Sequence, residues 1–228
     1  MAGADLDLAM REVVTGALSF NGQRCTGLKL TFVHASIVDA FLEKLSHAVN
    51  GLPFGLPWDK GVKLTPMPEF HKAGAMQAFV DDAVTFPPCC IPFFLAWKSN
   101  TKEQFGPVVP VCAYHDEQQF LDYVTQSNYG QQVSLFGRDP DKLFKLIDPP
   151  ANQVCRINLN AQCQRGPDKL PFAGRKDSAE ATLSMSDALR CFSIRSLVAA
   201  ESNLESREII QEIVTRRHSN FLRTDVIL

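Results

Sequence analysis

One cysteine stands in a setting that could support nucleophilic chemistry. Cys25 lies between the basic residue Arg24 and the hydroxyl residue Thr26, in the run SFNGQRCT of residues 19–26. The thiolate is the reactive form of cysteine, and a neighbouring cation or aligned backbone N–H groups lower the pKa of such a thiol. The run therefore indicates attack of sulfur on an electrophilic carbon. A small buried cysteine in a turn gives the same local pattern, and the run alone does not separate the two.

The elements around Cys25 place it at the junction of a helix and a strand. Residues 5–18 predict a helix because their apolar side chains recur at helical spacing. Residues 28–33 are mostly apolar and predict a strand. The step from Asn21 to Gly22 between them is small and flexible. A thiol at such a junction can be presented at an edge rather than sealed in a core.

The rest of the chain alternates between strand and helix patterns, which favours an α/β fold with parallel strands joined by crossover helices. The predicted helices are 36–48 with Ser36 as N-cap, 72–84, 115–126, 140–147 entered through Asp139, 186–190 and 205–217. The predicted strands are 108–113, 132–136, 154–159 and 191–198. Residues 51–68 predict a long loop, and residues 162–180 predict a polar loop long enough to be functional.

Composition argues against several classes of function. The formal net charge is −2, without the basic excess that would indicate a nucleic-acid partner. No apolar run is long enough to span a bilayer, and the first residues lack the pattern of a signal peptide. The seven cysteines show no disulfide-type or zinc-type spacing, which favours a reducing, cytoplasmic location. The five histidines show no ligand spacing, so we expect no metal site.

Four blocks of the sequence, taken in order, resemble the motifs of the aldehyde dehydrogenase superfamily. They are FNGQRCT (20–26), EQFGPV (103–108), RINLN followed by QRGPD (156–160 and 164–168), and PFAGRKDSA (171–179). The resemblance implies the catalytic domain of that superfamily, an open and mostly parallel sheet flanked by helices. Details of the first and third blocks are similar to the branch of NADP-dependent, non-phosphorylating glyceraldehyde-3-phosphate dehydrogenases.

The resemblance implies a reaction and a set of residues that bind the substrate. Cys25 matches the nucleophile of the family, and Arg24, Cys25, Thr26 and Arg165 match its substrate-binding positions. The implied reaction oxidises an aldehyde through a thiohemiacetal and a thioester, here glyceraldehyde 3-phosphate to 3-phosphoglycerate in glycolysis. A phosphorylated substrate suits these residues because guanidinium groups pair well with phosphate oxygens.

Two residues of the second block match cofactor-binding positions of the family. Glu103 matches the carboxylate that bonds the nicotinamide-side ribose of NADP or NAD, and Phe105 matches a ring beside the nicotinamide. These 228 residues contain no glycine-rich dinucleotide fingerprint. We therefore expect NADP to be bound incompletely, and we expect little or no dehydrogenase turnover by this chain alone.

The resemblance also predicts how the chain is divided. Residues 1–199 match the catalytic domain, without the cofactor-binding domain that precedes it in the family, and residues 200–228 predict a divergent tail, helical in part. Residues 86–102 fit neither a helix nor a strand and look shortened against the family. In the family a strand near 195–199 joins the sheet of a partner subunit, so the resemblance implies a homo-oligomer.

Several other residues of these blocks predict structural roles. Asn158 and the turn at 172–174 are expected to shape the site and its floor, and Lys176 and Ser178 are expected to hold the loop rather than do chemistry. Cys163 is expected to be a bystander beside Arg165. The remaining cysteines are expected to be small core hydrophobes, namely Cys89, Cys90, Cys112, Cys155 and Cys191.

Two functions of other classes stay open at the level of sequence. A catalytically dead remnant of the fold would serve as an interaction or regulatory subunit, and pairing with a full-length dehydrogenase would support it. A cofactor-independent esterase or acyl transferase would use Cys25 as its nucleophile, although no histidine lies near Cys25 in the sequence. Loss of ester cleavage on Cys25→Ser would be the minimum requirement for that function.

Overall fold

The computed structural model describes residues 1–85, 102–167, 170–194, 196–219 and 221–222. The chain divides into two compact units, Met1–Leu189 and Arg190–Leu228. The atypical segment 86–102 lies outside the described residues except for Lys102. The predicted domain division after residue 199 stays a prediction. Across the described part of the chain, no helix is both long and apolar enough to cross a membrane.

Helices and strands alternate along the chain, as the sequence patterns predict. The α-helices are α1 Leu6–Leu18, α2 Val38–Asn50, α3 Phe70–Thr85, α4 Glu117–Gln126, α5 Pro140–Lys145, α6 Asp148–Ala151, α7 Met185–Cys191 and α8 Leu204–Thr215. The strands are β1 Thr31–His34, β2 Val111–Tyr114, β3 Tyr129–Gly130, β4 Gln132–Leu135, β5 Arg156–Leu159 and β6 Arg175–Lys176. Short 3-10 turns occupy Ser19–Gly22 and Ala35–Ile37.

Helix α1 brings the chain to the cysteine. It begins after Asp5, whose side chain accepts hydrogen bonds from the backbone N–H groups of Asp7 and Leu8 and so satisfies two free donors of the first turn. One face of the helix is buried, and Val13 joins a core cluster with Val33, Phe41 and Leu45 from β1 and α2. This packing of α1 against α2 and β1 fixes the point at which the Cys25 segment starts.

The strands pair in short sheets, and the α/β class is confirmed. Among the described residues, β1 pairs with β2 and β4 pairs with β5, both in parallel, while β3 pairs antiparallel with β6. The register places Phe32 beside Cys112, and Ser134 beside Asn158. Parallel pairing requires a crossover between the strands, which α2 and α3 supply for the first pair.

Two local predictions from the sequence are wrong. Ser36 is not the N-cap of α2, because the helix begins two residues later, after the Ala35–Ile37 turn. The backbone N–H of Ser36 instead donates to Nδ1 of His34 at 3.2 Å. The described residues of 191–198 also form no strand, since Cys191 ends α7 and residues 192–194 and 196–198 lie in neither a helix nor a strand.

The second unit contains α8, the helix predicted over 205–217. The side chain of Asn203 accepts from the N–H of Ser206 at 2.8 Å and caps the first turn. Near the other end, Arg216 pairs with Glu212 at 2.8 Å, one helical turn earlier. Local signals thus account for both ends of this helix.

Candidate functional site

Cys25 sits on a tight loop whose backbone is left-handed before the cysteine. We call residues 19–27 the Cys25 loop. Phe20, Asn21 and Gly22 have φ angles of 54°, 56° and 68°, a conformation that residues other than glycine seldom adopt. Such strain persists only where the surrounding contacts enforce it, and it is concentrated at functional sites. The thiol that follows is exposed.

The side chain of Asn21 holds the loop in this shape. Its amide nitrogen donates to the backbone carbonyl of Thr65 at 3.0 Å and to the Thr65 hydroxyl at 2.8 Å. Its amide oxygen accepts from the backbone N–H of Thr65 at 3.0 Å. Asn21 is itself buried. The amide therefore fastens the Cys25 loop to the long loop that runs between α2 and α3.

Gly22 brings two of the sequence blocks into backbone contact. A Cβ atom at Gly22 would collide with the carbonyl oxygen of Gly106 and would lie 2.8 Å from that of Ala17. Only glycine leaves room for this approach, and its φ of 68° also suits glycine best. The cysteine block and the EQFGPV block, far apart in sequence, therefore meet at a position where no side chain fits.

A cavity of about 410 Å³ opens where these blocks meet. Its lining includes residues from both blocks and from the segment that leads into β1, namely Cys25, Thr26, Lys29, Glu103, Gln104 and Phe105. Farther along, its wall is formed by aromatic residues of β1, β2 and α4. The cavity thus brings together the predicted nucleophile and the two predicted cofactor-binding residues.

Lys29 links the two blocks through its charge. Its Nζ lies 3.2 Å from a carboxylate oxygen of Glu103 and 3.1 Å from the carbonyl oxygen of Gly22. It also lies 4.9 Å from the centre of the Phe105 ring, within the range of a cation–π interaction. Burial lowers the pKa of Lys29, and the negative charges of Glu103 and of an ionised Cys25 oppose that effect.

Arg24 faces the interior and not the cavity. One guanidinium nitrogen lies 3.4 Å from the carbonyl of Gly16 in α1 and 3.4 Å from the side-chain oxygen of Gln162. The Nε atom of Arg24 is buried and has no hydrogen-bond partner among the described residues. These contacts give Arg24 a structural role, in which its guanidinium holds the Cys25 loop against oxygen atoms of α1 and Gln162. Its assignment to substrate stays a prediction.

Arg165 is exposed on the loop that follows β5, with its guanidinium 5.7 Å from the centre of the Phe172 ring. Neighbouring side chains hold the backbone on both sides of it. Gln132 accepts from the N–H of Gln164 at 3.1 Å and donates to the carbonyl of Gln164 at 2.9 Å. Arg156 donates to the carbonyls of Gln164 and Gly166 at 3.1 and 2.8 Å. The Arg165 loop (residues 162–167) is therefore held from β4 and β5.

The last sequence block performs the loop-holding role expected of it. The Lys176 ammonium donates to the carbonyls of Val124, Thr125 and Ser127, at the C-terminal end of α4 where carbonyl groups lack helical partners. The Ser178 hydroxyl accepts from the N–H of Gly130 at 2.8 Å. These bonds accompany the β3–β6 pairing, which the sequence patterns did not indicate.

Asn158 is likewise tied to its surroundings. It is buried, and its amide nitrogen lies 3.2 Å from the side-chain oxygen of Gln132 and 3.3 Å from the carbonyl of Val133. Asn158 therefore supports the same Gln132 side chain that holds the Arg165 loop. This contact agrees with the structural role expected of Asn158.

Of the other cysteines, Cys112 has the core position that the sequence predicts, whereas two others do not. Cys112 is buried, and burial raises its pKa to about 12. Cys163 is buried as well, and desolvation raises its pKa despite a 3.4 Å contact with the Ser134 hydroxyl. The prediction of a core position is wrong for Cys155 and Cys191, because both are exposed at the ends of short elements. Cys89 and Cys90 lie outside the described residues.

Sequence reasoning missed several residues that build the site. Lys29, Thr65 and Gln132 lie outside the four blocks, and Gln104 lies within one but was given no role of its own, since each of the four acts through a partner that is distant in sequence. One signal was available for Lys29, a charged residue interrupting an apolar strand just after the cysteine. Within the described ranges no group of histidine, cysteine or acidic residues could hold a metal ion.

Comparison with known proteins gives one consistent result. The chain matches a family model described as "Aldehyde dehydrogenase family" over residues 1–86 and 97–197. It is 32% identical over 195 residues to the NADP-dependent glyceraldehyde-3-phosphate dehydrogenase of Streptococcus equinus, which covers 77% of this chain and 40% of that protein. The corresponding enzyme of Apium graveolens is 34% identical over 194 residues, covering 77% of this chain and 38% of that protein.

Solved structures agree with this result. The NADP-dependent glyceraldehyde-3-phosphate dehydrogenase from Bacillus halodurans, complexed with NADP, superposes with a TM-score of 0.75 and 29% identity, over 83% of this chain and 42% of that one. A glyceraldehyde-3-phosphate dehydrogenase from Methanocaldococcus jannaschii, at 22% identity and a TM-score of 0.73, shares the fold over 82% of this chain and 44% of that one. The chain thus spans about two fifths of the length of the curated relatives it matches.

Proposed function

This chain belongs to the aldehyde dehydrogenase family, and we propose that it carries the cysteine-containing part of an NADP-dependent aldehyde dehydrogenase. One observation carries the proposal. The exposed thiol of Cys25 shares a cavity of about 410 Å³ with Glu103 and Phe105, the two residues that match cofactor-binding positions. A nucleophile, a carboxylate and an aromatic ring are the groups that this chemistry requires from this part of the enzyme.

The proposed chemistry begins at Cys25. Its thiolate attacks the aldehyde carbon, a carbon–sulfur bond forms, and the carbonyl electron pair moves to oxygen. The backbone N–H of Cys25 is the donor that we expect to stabilise this oxyanion. Loss of a hydride from the same carbon leaves a thioester on Cys25, and water then releases the acid and restores the thiol. NADP, when bound, supplies the acceptor for the hydride.

The residues present fit the nicotinamide end of such a cofactor. Glu103 lines the cavity with a carboxylate that is 40% exposed, and one of its oxygens contacts Lys29. A carboxylate has further lone pairs, so Glu103 can also accept hydrogen bonds from ribose hydroxyls. Gln104 lines the same cavity, and its buried side-chain oxygen has no hydrogen-bond partner in the described part of the chain.

For the substrate we propose a phosphorylated aldehyde, glyceraldehyde 3-phosphate, oxidised to 3-phosphoglycerate. The names of the relatives support this choice, and so does the match of Arg165 to a substrate-binding position of the family. Arg165 is exposed, on a loop whose backbone is held from two strands, and it is not part of the cavity lining that contains Cys25. Thr26 lies beside the cysteine on the cavity wall. Because Arg24 makes internal hydrogen bonds, we assign the phosphate contact to Arg165 first. The cytoplasmic location and the homo-oligomer stay predictions.

The proposal is tested by protection of Cys25 against alkylation. A thiohemiacetal forms without a cofactor, so the aldehyde alone should slow the reaction of Cys25 with iodoacetamide. Mass spectrometry of the peptide that contains Cys25 separates it from the exposed Cys155 and Cys191. We expect glyceraldehyde 3-phosphate to protect at roughly tenfold lower concentration than glyceraldehyde, since one charge-assisted phosphate contact contributes about 1.5 kcal/mol or more.

Two variants define the outcome of this test. Arg165→Ala should remove the advantage of the phosphorylated aldehyde, whereas Arg138→Ala, which changes an exposed arginine paired with Asp5, should keep it. Equal protection by both aldehydes in the unaltered chain would reject the phosphorylated substrate. If neither aldehyde protects Cys25, the nucleophilic role of this cysteine is wrong.

A further inference from the structure

The ammonium group of Lys29 lies against both sides of the Cys25 loop. Its Nζ donates a hydrogen bond to the carbonyl of Gly22, three residues before the cysteine, at 3.1 Å. The same atom lies 3.4 Å from the position that a Cβ would take at Gly27, two residues after the cysteine. Lys29 and Cys25 also line the same cavity. A positive charge is thus held next to the segment that presents the thiol.

The same ammonium is fixed from the other block. The carboxylate of Glu103 lies 3.2 Å away, and the side chains of Lys29 and Glu103 are 25% and 40% exposed. The Phe105 ring lies 4.9 Å from Nζ. Carboxylate, carbonyl and ring face together make a partly water-excluded setting in which a charge acts more strongly than it would on the open surface.

Gln104 fixes the backbone of Lys29. Its side-chain nitrogen donates to the Lys29 carbonyl at 2.8 Å and lies 3.5 Å from the carbonyl of Val108. Because both neighbouring atoms are carbonyl oxygens, which accept hydrogen bonds, the amide atom of Gln104 that faces them must be the nitrogen. Gln104 is among the most buried side chains of the chain. The EQFGPV block therefore holds Lys29 at both ends, its backbone through Gln104 and its ammonium through Glu103.

We propose that Lys29 is a positioning residue of the site, with its ammonium shared between the Cys25 thiolate and the Glu103 carboxylate. The role deepens the proposed function, on which it rests, because it couples the nucleophile to the residue assigned to the cofactor. The ammonium holds Glu103 at the cavity, and it places a positive charge where an anionic sulfur or a negatively charged reagent approaches. No proton or group transfer is assigned to Lys29.

The test compares the rates at which a negative and a neutral reagent alkylate Cys25. Iodoacetate and iodoacetamide react with the same thiolate, so the ratio of their rates reports the local charge rather than the exposure of the sulfur. We expect Lys29→Met to lower the iodoacetate-to-iodoacetamide ratio about fivefold, as expected for loss of one charge within several ångströms in a partly screened setting. In Lys29→Arg, which keeps the positive charge, the iodoacetate-to-iodoacetamide ratio should stay close to that of the unaltered chain.

Glu103→Gln provides the opposite change. It leaves Lys29 in place and removes the neighbouring negative charge, so the ratio should rise. Lys44→Met serves as the matched control, since it removes one charge at an exposed lysine that pairs with Asp7 on α1. A purely structural Lys29 would change both rates together and leave the ratio unaltered.

The results separate this inference from the proposed function. The proposed role of Lys29 is wrong if Lys29→Met leaves the iodoacetate-to-iodoacetamide ratio unchanged. It is also wrong if Lys44→Met lowers that ratio as much as Lys29→Met does. If Lys29→Met fails to fold, Glu103→Gln provides the test instead. An unaltered or lower ratio in that variant contradicts the proposal that Cys25 and Glu103 share the Lys29 ammonium. Aldehyde protection of Cys25 is measured in a different experiment, so either conclusion can fail while the other stands.

Discussion

The Cys25 loop and the Arg165 loop are held by opposite means. The Cys25 loop is packed tightly from within, by a left-handed backbone, a buried Asn21 and the contact of Gly22 with Gly106. Arg165 itself is exposed, and Gln132 and Arg156 hold the backbone of its loop from neighbouring strands. The Cys25 loop is fixed by close backbone packing together with the hydrogen bonds of its own buried Asn21, whereas side chains from other elements fix the Arg165 loop.

This difference suits the two tasks that we propose. A nucleophile must meet the reacting carbon at a defined distance and angle, so a packed and strained backbone serves it. A residue that binds an anion on the substrate tolerates small shifts, because a guanidinium has several donors. Disruption of the first loop should therefore be costly to the fold, whereas disruption of the second should change local mobility more than stability.

Gly22→Ala should produce the largest effect. The new Cβ would collide with the carbonyl of Gly106 and crowd that of Ala17, and alanine also disfavours a φ of 68°. We expect the free energy of unfolding to fall by at least about 3 kcal/mol, measured by urea denaturation.

Gly61→Ala is the control for this variant. Gly61 has a φ of 83°, but no atom lies within 4 Å of the position that a Cβ would take there. Gly61→Ala therefore measures the cost of the left-handed backbone without a steric collision of the new Cβ. Its cost should be about 1 kcal/mol. Similar losses in the two variants would show that the packing of Gly22 against Gly106 contributes little.

Asn21→Gly should have an intermediate effect. Glycine accepts the left-handed backbone, so this change removes only the three hydrogen bonds to Thr65. We expect the free energy of unfolding, measured by urea denaturation, to fall by about 2 kcal/mol. Alkylation of Cys25 should become faster because the loop that presents the thiol is held less firmly. Thr65→Val removes one of the three bonds and should cost less. A loss as large in Thr65→Val as in Asn21→Gly would contradict the role of the amide.

Gln132→Ala should have the smallest effect on stability. Its side chain makes two bonds to Gln164 and one to Asn158, at the edge of the structure, so we expect a loss of about 1 kcal/mol. Trypsin should cut after Arg165 several times faster than in the unaltered chain. Gln118→Ala, which removes a surface contact with Asp122, is the control. An unchanged rate of cutting would mean that Gln132 does not restrain the Arg165 loop.

Local signals predicted most helices and strands, since these elements depend on neighbours in the sequence. The caps Asp5 and Asp139 illustrate this, because each side chain accepts from backbone N–H groups within three residues. The β3–β6 pair was not predicted, because strands of two residues show no periodicity. The Ser36 cap was wrong because Ser36 lies inside the Ala35–Ile37 turn, which His34 caps, and its hydroxyl lies 2.8 Å from Nδ1 of His34.

The sequence alone determined the α/β class, the position of Cys25 between a helix and a strand, and the order of the four blocks. Only the tertiary structure decided which residues surround the thiol. It turned Arg24 inward, brought Lys29 to Glu103, and placed Gly22 against Gly106. The physical reason is distance along the chain. Spacing patterns encode hydrogen bonds between near neighbours, whereas contacts between distant segments follow from how buried surfaces pack.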